Sequence, residues 1–413
     1  MSLSPEEFLK DFHHTATIGA TAHQGVDRQA GTAKDGEIRA WFRDWGAERG
    51  YPVRVDSIGN MFLLAEWTPG VPFVLIGSHL DSQPLAGRFD GAYGVVAAMH
   101  ALQEIDAEVQ AAGEKPPFNL AVVNWFNEEG ARFAPSIMGS SVFVSLMDEA
   151  DMLAVSDPSG TTVGEALESI GFLGTDSRPE VASYAEIHIE QGRILEREGI
   201  PLGAVDRSWY TQKLDIEVLG EQSHTGATSM ADRRDALIAA SKIVLMVHEV
   251  TKDFEEDALL SSVGQMHIEP NSPIVVPRRV HLVADLRSDS EEIVQAARAT
   301  LLAGIDALTA EHPVDVNVRD FDVRPRRPFP EGGLELVEKL MADKGLSTRR
   351  LRTRAGHDAV AMSTQVPSVL LFVPSVDGVS HCEREFTEDE DLVTGLGALT
   401  EVARALVGGA LQD

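Results

Sequence analysis

Hydrophobic and polar positions follow two rhythms along this chain. Residues 36–49, GEIRAWFRDWGAER, place Ile38, Trp41, Phe42 and Trp45 at spacings of three and four, the stripe of an amphipathic helix that Gly50 and Pro52 close. The β-rich runs PVRV and NMFLLAEW follow, separated by Asp56-Ser57-Ile58-Gly59, and this arrangement predicts a hairpin. Then come short, nearly unbroken apolar runs: VPFVLIGSH (71–79), FNLAVVNWFN (118–127), ASYAEIHIEQG (182–192) and PSVLLFVPS (367–375). A helical stretch, DGAYGVVAAMHALQEI, separates the first two. Unbroken apolar runs belong to strands covered on both sides, so the pattern predicts an α/β fold with an open, mostly parallel sheet and helices on both faces.

Between about 208 and 325 the rhythm changes. TQKLDIEVLG and RRVHLVADLR alternate with period two, as strands solvated on one face do. ADRRDALIAASKIVLMVHEV carries Ala236, Ala239, Ile243 and Val247 on one stripe and predicts a helix to cover them. The expected organisation is a smaller α+β domain at 208–325 inserted between the two parts of the larger one, 1–207 and 326–413. RDFDVRPRRPFPEGG reads as the return linker.

Composition narrows the possible partners. With 35 Lys+Arg against 65 Asp+Glu the net charge is −30, a surface that repels nucleic acid and anionic membranes. The single cysteine cannot form an internal disulfide, no apolar run approaches a span of about 18 residues, and the N-terminus lacks the features of a secretory signal. A soluble, cytoplasmic protein is expected.

Chemistry collects where the apolar strands end. VLIGS runs into His79-Leu80-Asp81, AVVNWFN into Glu128-Glu129, AEI into His188, and LLFVPS is followed by His381; Asp90 lies in the loop after the first strand. Ligands of open α/β sheets bind beyond the carboxyl ends of the strands. Imidazoles and carboxylates suit zinc and its neighbours, and this set is too large for one four-coordinate ion and about right for two. Asp81 is spaced to orient His79, and of the pair Glu128-Glu129 one member can bind metal while the other handles a proton. Taken singly, each candidate is more simply a surface histidine, a turn aspartate or a solvated glutamate. Their coincidence at four strand ends outweighs that reading.

In order and approximate spacing, GSHLDS, GRFDGAYGV, NEEGARF, HIEQG, GEQSHTGATSMADRRDA, DLRS, AGHDA and VPSVDGVSHCEREF resemble the M20-type metallohydrolases, and within them the hydantoinase/carbamoylase amidases: N-carbamoyl-L-amino acid hydrolases, β-ureidopropionase-like enzymes and allantoate amidohydrolases. The resemblance implies a zinc-peptidase-like catalytic domain and a smaller lid and dimerisation domain, hence a homodimer. It implies two divalent ions, Zn first and Mn, Co or Ni as alternatives, with His79 and His188 on one, Asp90 between, and Glu129 and His381 on the other. Glu128 would be the general base for water held between the ions, Asp81 the orienter of His79, His224 the group that polarises the scissile carbonyl, and Arg287 the grip on a substrate carboxylate. Gln191 and Gly356 match further substrate-pocket positions.

The chain departs from the family where Ile274 stands for the usual pocket asparagine. Asn271, three residues earlier, is the nearest amide candidate. The loop 225–230 lacks a proline before Met230, and Thr353-Arg354 replaces a smaller pair. The implied activity is hydrolysis of a linear C–N bond, foremost the carbamoyl group of a ureido acid. N-acyl-amino acid hydrolysis, dipeptidase activity and a non-catalytic binding protein are the rivals.

Overall fold

The computed structural model describes residues 4–412, which fall into two compact units. The larger comprises the chain up to Arg207 and from Pro328 onward; the smaller is Ser208–Arg327.

The larger unit contributes β1 (Val53–Val55), β2 (Met61–Ala65), β3 (Phe73–His79), β4 (Asn119–Trp125), β5 (Val181–Ile189) and β6 (Leu202–Ser208) before the chain enters the smaller unit. There it forms β7 (Tyr210–Leu219), β8 (Ser223–His224), β9 (Leu260–Glu269), β10 (Val275–Val276), β11 (Arg279–Ser288) and β12 (Asp315–Arg324), and it returns to add β13 (Thr348–Thr353) and β14 (Ser368–Val373).

The large sheet runs in the order β1-β2-β4-β3-β5-β14-β6-β13. Its centre, β4-β3-β5-β14, is parallel, and antiparallel strands flank it. Alternate residues of these strands enter separate cores, which explains the unbroken apolar runs. Val74, Ile76, Val122, Ile187 and Leu371 pack on one side with the long helices Ala92–Ala112 and Asp389–Val407. Leu75, Val123, Tyr184 and Phe372 pack on the other with the short helix Asp358–Met362. The expected hairpin is present, with Val53 opposite Leu63. The helix over 36–49 is Ala33–Glu48, capped by the Thr32 hydroxyl.

The smaller unit is a four-stranded antiparallel sheet, β12-β7-β11-β9, with a two-stranded piece, β10-β8. Leu214, Ile216 and Val218 of β7 and Val280, Leu282 and Leu286 of β11 pack on the helices Ala236–Glu249 and Glu291–Glu311, while the intervening residues are only partly buried. One expectation is corrected here. The first half of the stretch read as a linker is β12, an edge strand whose alternation is mostly exposed and so resembles polar coil in sequence. One helix, Glu291–Glu311, is by length and mean composition apolar enough to cross a membrane, although it contains no long unbroken apolar run. Its Val294, Ala297, Leu301, Ile305 and Leu308 form a buried stripe against the sheet, and Arg298 pairs with Asp320, so the helix is amphipathic.

Candidate metal centre and active site

Because β4, β3, β5 and β14 are parallel neighbours, their carboxyl ends lie side by side. His79 is the last residue of β3, aligned with Trp125 of β4, and His188 on β5 is aligned with Phe372 of β14. Past these ends the chain turns sharply, and Asn127, Gln191 and His381 all take the left-handed conformation, with φ of 51°, 55° and 57°. Such conformations cost about 1–3 kcal/mol each and gather where a site demands a particular geometry.

Two groups of potential ligands result, and they share Asp90. His79, Asp90 and His188 form one; Asp90, Glu129 and His381 form the other. In the first, Asp90 Oδ1 lies 3.0 Å from His188 Nε2 and 3.4 Å from His79 Nε2. In the second, His381 Nε2 lies 3.3 Å from Asp90 Oδ2 and 3.4 Å from Glu129 Oε2. Bonds of about 2.0–2.1 Å to a tetrahedral ion set neighbouring ligand atoms roughly 3.3 Å apart, so both groups have the spacing of an ion's coordination shell.

The imidazoles are oriented for this. His79 Nδ1 faces the Asp81 carbonyl at 3.1 Å and His188 Nδ1 the Ile189 carbonyl at 2.9 Å, so each neutral ring carries its proton there and turns the Nε2 lone pair toward Asp90. Room for the His79 ring depends on Gly91, at φ 62°, where a β-carbon would stand 2.4 Å from ring atoms. Gln191 Nε2 donates to Asp90 Oδ2 at 2.7 Å and places that residue on the ligand; its own Oε1 is buried without a partner among the described residues.

The excess of carboxylates sets the protonation of the cluster. Burial disfavours a charged His188, but Asp90 outweighs it and pushes the ring up to about 9; His381, against its own partial desolvation, is pushed by Glu129 and Asp90 up to about 10. Burial also opposes the charge of Asp90, yet His188, His381 and His79 hold it well below the usual carboxylate range. A field that draws protons onto imidazoles this strongly equally favours a divalent cation.

Glu128 projects beside these ligands, with Oε2 3.5 Å from His79 Nε2. Burial lifts its carboxyl well above the ordinary range; His79 draws it back, while Asp358, Glu129 and Asp90 add to the lift. A carboxyl standing beside both ligand groups is placed to take a proton from a group between them and return it. The Asp81 carboxylate accepts the backbone N–H groups of Glu128 (3.2 Å) and Glu129 (3.3 Å), and its nearer oxygen is 3.6 Å from His79 Nδ1. It is therefore the Asp81 carbonyl that meets the imidazole, while the carboxylate holds the two glutamates.

Several buried groups here were not singled out in the sequence. His357, beside Gly356, packs edge-on against His188 at 4.6 Å between ring centroids, with Nε2 buried and unpartnered among the described residues. Glu186 shares the face of β5 with His188 and accepts the Ser78 hydroxyl and the Ala359 N–H. Asp358 is fully buried, bound through one oxygen to Ser140. The period of two along β5 signals Glu186, since a glutamate two residues before a ligand on a buried strand faces the same way.

In the smaller unit, His224 is exposed, and its Nδ1 accepts the N–H groups of Gly226 (2.9 Å) and Ala227 (3.1 Å). A neutral His224 thus carries its proton on Nε2. Arg287 stands on the face of β11 opposite the core, where it forms a two-pronged pair with Asp285 at 3.0 and 2.7 Å. Asn271 is exposed, at φ 53°, and Ile274 is 63% exposed.

Known proteins are similar to this chain over most of its length. Residues 75–405 match the Peptidase family M20/M25/M40. A Mycolicibacterium smegmatis protein described only as a hydrolase is 47% identical over 98% of this chain and 94% of its own. An N-carbamoyl-L-amino-acid amidohydrolase of Rhizobium meliloti is 34% identical over 93% of this chain and 92% of its own. The crystal structure of a hydantoinase/carbamoylase family amidase from Burkholderia vietnamiensis superposes with a TM-score of 0.93 at 31% identity, covering 99% of this chain and 98% of that one. The chain belongs to peptidase family M20/M25/M40, and these relatives place it with the hydantoinase/carbamoylase amidases of that family.

Proposed function

We propose that the chain is a metal-dependent amidohydrolase that cleaves a linear C–N bond, foremost the carbamoyl group of an N-carbamoyl amino acid or a related ureido acid, using two divalent ions per chain. The observation that carries this reading is the sharing of Asp90: one carboxylate faces two ligand groups, each spaced for an ion. Zinc suits the donors best, with Mn, Co and Ni as alternatives. Ions bound there would act as Lewis acids and would lower the pKa of bound water toward about 7.

The chain's own residues do the rest. Glu128 takes a proton from the attacking water and returns it to the leaving nitrogen. Asp81 holds the backbone of Glu128 and Glu129, fixing base and ligand relative to one another. His224, its Nδ1 occupied by two N–H groups, offers the Nε2 proton that a carbonyl oxygen accepts as charge builds on it. Arg287 supplies a planar fork for a substrate carboxylate, which has to join or displace Asp285. With a carbamoyl substrate the products are the amino acid, carbon dioxide and ammonia. The resemblance assigns His224, Arg287, Gln191 and Gly356 to the substrate, and a homodimer formed through the smaller unit; Asn271 enters only as the nearest amide to Ile274, where the family has its pocket asparagine.

The test is a panel of N-carbamoyl, N-acetyl and dipeptide forms of one amino acid, given to protein purified without chelator, with ammonia and free amine followed separately. Ammonia and amine together are expected. Amine without ammonia would shift the reading to N-acyl or dipeptide hydrolysis. Glu128→Gln should keep the ion content and lose about 10²–10⁴-fold in kcat; full activity in that variant would remove Glu128 as the base.

A further inference from the structure

One buried carboxylate beside the ligands has no part in the reaction proposed above. Glu385, four residues after His381, is 3% exposed. Its Oε1 accepts the backbone N–H groups of Phe89 (3.0 Å) and Asp90 (3.1 Å). Its Oε2 accepts the Ser380 hydroxyl at 2.7 Å, and that hydroxyl lies 3.0 Å from Asp90 Oδ2. A hydroxyl has one proton to give, so Ser380 serves one of the two carboxylates at a time. Space for Glu385 is made at Gly87, where a β-carbon would stand 2.0 Å from its Oε1 and 2.2 Å from its Cδ. A buried carboxylate is costly unless its oxygens are hydrogen-bonded, and here both find donors on the segments that carry Asp90 and His381.

The geometry points to Glu385 as the positioning residue of the shared ligand, an assignment that rests on the two-ion reading. It fixes the backbone at Asp90, reaches Oδ2 through Ser380, and so ties the Asp90 loop to the His381 loop. Oδ1 is faced by His79 and His188, which strand ends hold independently. Oδ2 belongs with Glu129 and His381, and His381 sits on the tied loop. Loss of Glu385 therefore loosens the second group more than the first.

Glu385→Gln keeps the volume and replaces one accepting oxygen with a donor. Chelator competition with zinc, repeated with cobalt and read by its absorption spectrum, gives the affinity of each ion. The expected result is about 10–100-fold weaker binding of the second ion, the range typical of groups that orient metal ligands, with the first much less affected and kcat falling more than KM changes. Glu385→Asp should recover part of the loss. Unchanged affinity for both ions overturns the assignment. So does equal weakening of both alongside a lower unfolding temperature of the metal-free protein, the mark of a merely structural role. If Glu385→Gln does not fold, Ser380→Ala removes only the link to Oδ2, and an unaltered second ion there overturns the assignment too. A wild-type chain that binds one ion defeats the two-ion reading; Glu385 then stands or falls on whether Glu385→Gln weakens that ion. A wild-type chain that binds none defeats both.

Discussion

The two ligand groups that meet at Asp90 are built on different supports. His79 ends β3 and His188 is the next-to-last residue of the adjoining β5; they are 1% and 2% exposed, each with its Nδ1 held by a backbone carbonyl. His381 stands in a loop beyond β14, its side chain 50% exposed and its backbone left-handed. A strand end is positioned by the ladder and by two cores, so its ligands are fixed before any ion arrives. A loop ligand is positioned by whatever it happens to touch, here Asp90, Glu129 and the contacts of its neighbours. On the two-ion proposal, the first group should be the preformed, tighter one and the second adjustable and weaker.

Removing one histidine from each group tests that contrast most severely. His188→Ala should weaken the first ion by more than the roughly 100-fold that outer partners cost, with activity lost. His381→Ala should leave one ion bound and remove the other. Ion counting after dialysis against dilute metal checks both, and equal losses from the two variants would erase the distinction.

Gly91→Ala probes how far the first group depends on its loop. The added β-carbon meets the His79 ring at 2.4 Å, and the left-handed backbone disfavours any side chain. A cost of about 1–3 kcal/mol is expected in stability or in first-ion binding, and thermal unfolding with and without metal apportions it. Wild-type behaviour in both measurements would mean that the loop yields freely.

Much of this was legible in the sequence, for a physical reason. Parallel strands buried on both faces have to be apolar throughout, so the polar residues at their ends stand out: His79, Glu128, Glu129 and His188 were visible against that background. Glu186 was hidden in the same apolar run as His188, where one acid looks like an interruption. His357 and Asp358 follow β13, whose sequence TRRLRT does not read as a buried strand. Glu385 looks like any other member of a charged stretch, CEREFTEDED, because hydrogen bonds to distant N–H groups leave no local trace. The partner of His79 Nδ1 was foreseen as a carboxylate two residues on; that residue supplies its carbonyl instead, since its carboxylate is taken by Glu128 and Glu129. β12 was lost in the same way at the edge of the smaller sheet.

The smallest effect is a pH slope, and its sign separates the metal-free protein from the loaded one. In the metal-free fold His188 rises from an ordinary 6.5 to about 9 and His381 to about 10, because Asp90 and Glu129 outweigh burial. Between 6.5 and those values the folded chain holds more protons than the unfolded one, so stability falls as pH rises. The contribution of these two rings is fully present below 6.5 and gone above about 10. With ions bound, the same imidazoles are bare. The folded state then holds fewer protons than the unfolded one below 6.5, and stability climbs with pH up to that point and levels off. Unfolding temperatures of the two forms should therefore diverge between pH 6.5 and 9, the loaded protein holding steady while the metal-free one declines. In His381→Ala the metal-free decline should shrink, because only the strand-end histidines still release their protons. Parallel curves for the two forms would mean that Asp90 and its neighbours do not hold protons in place of ions.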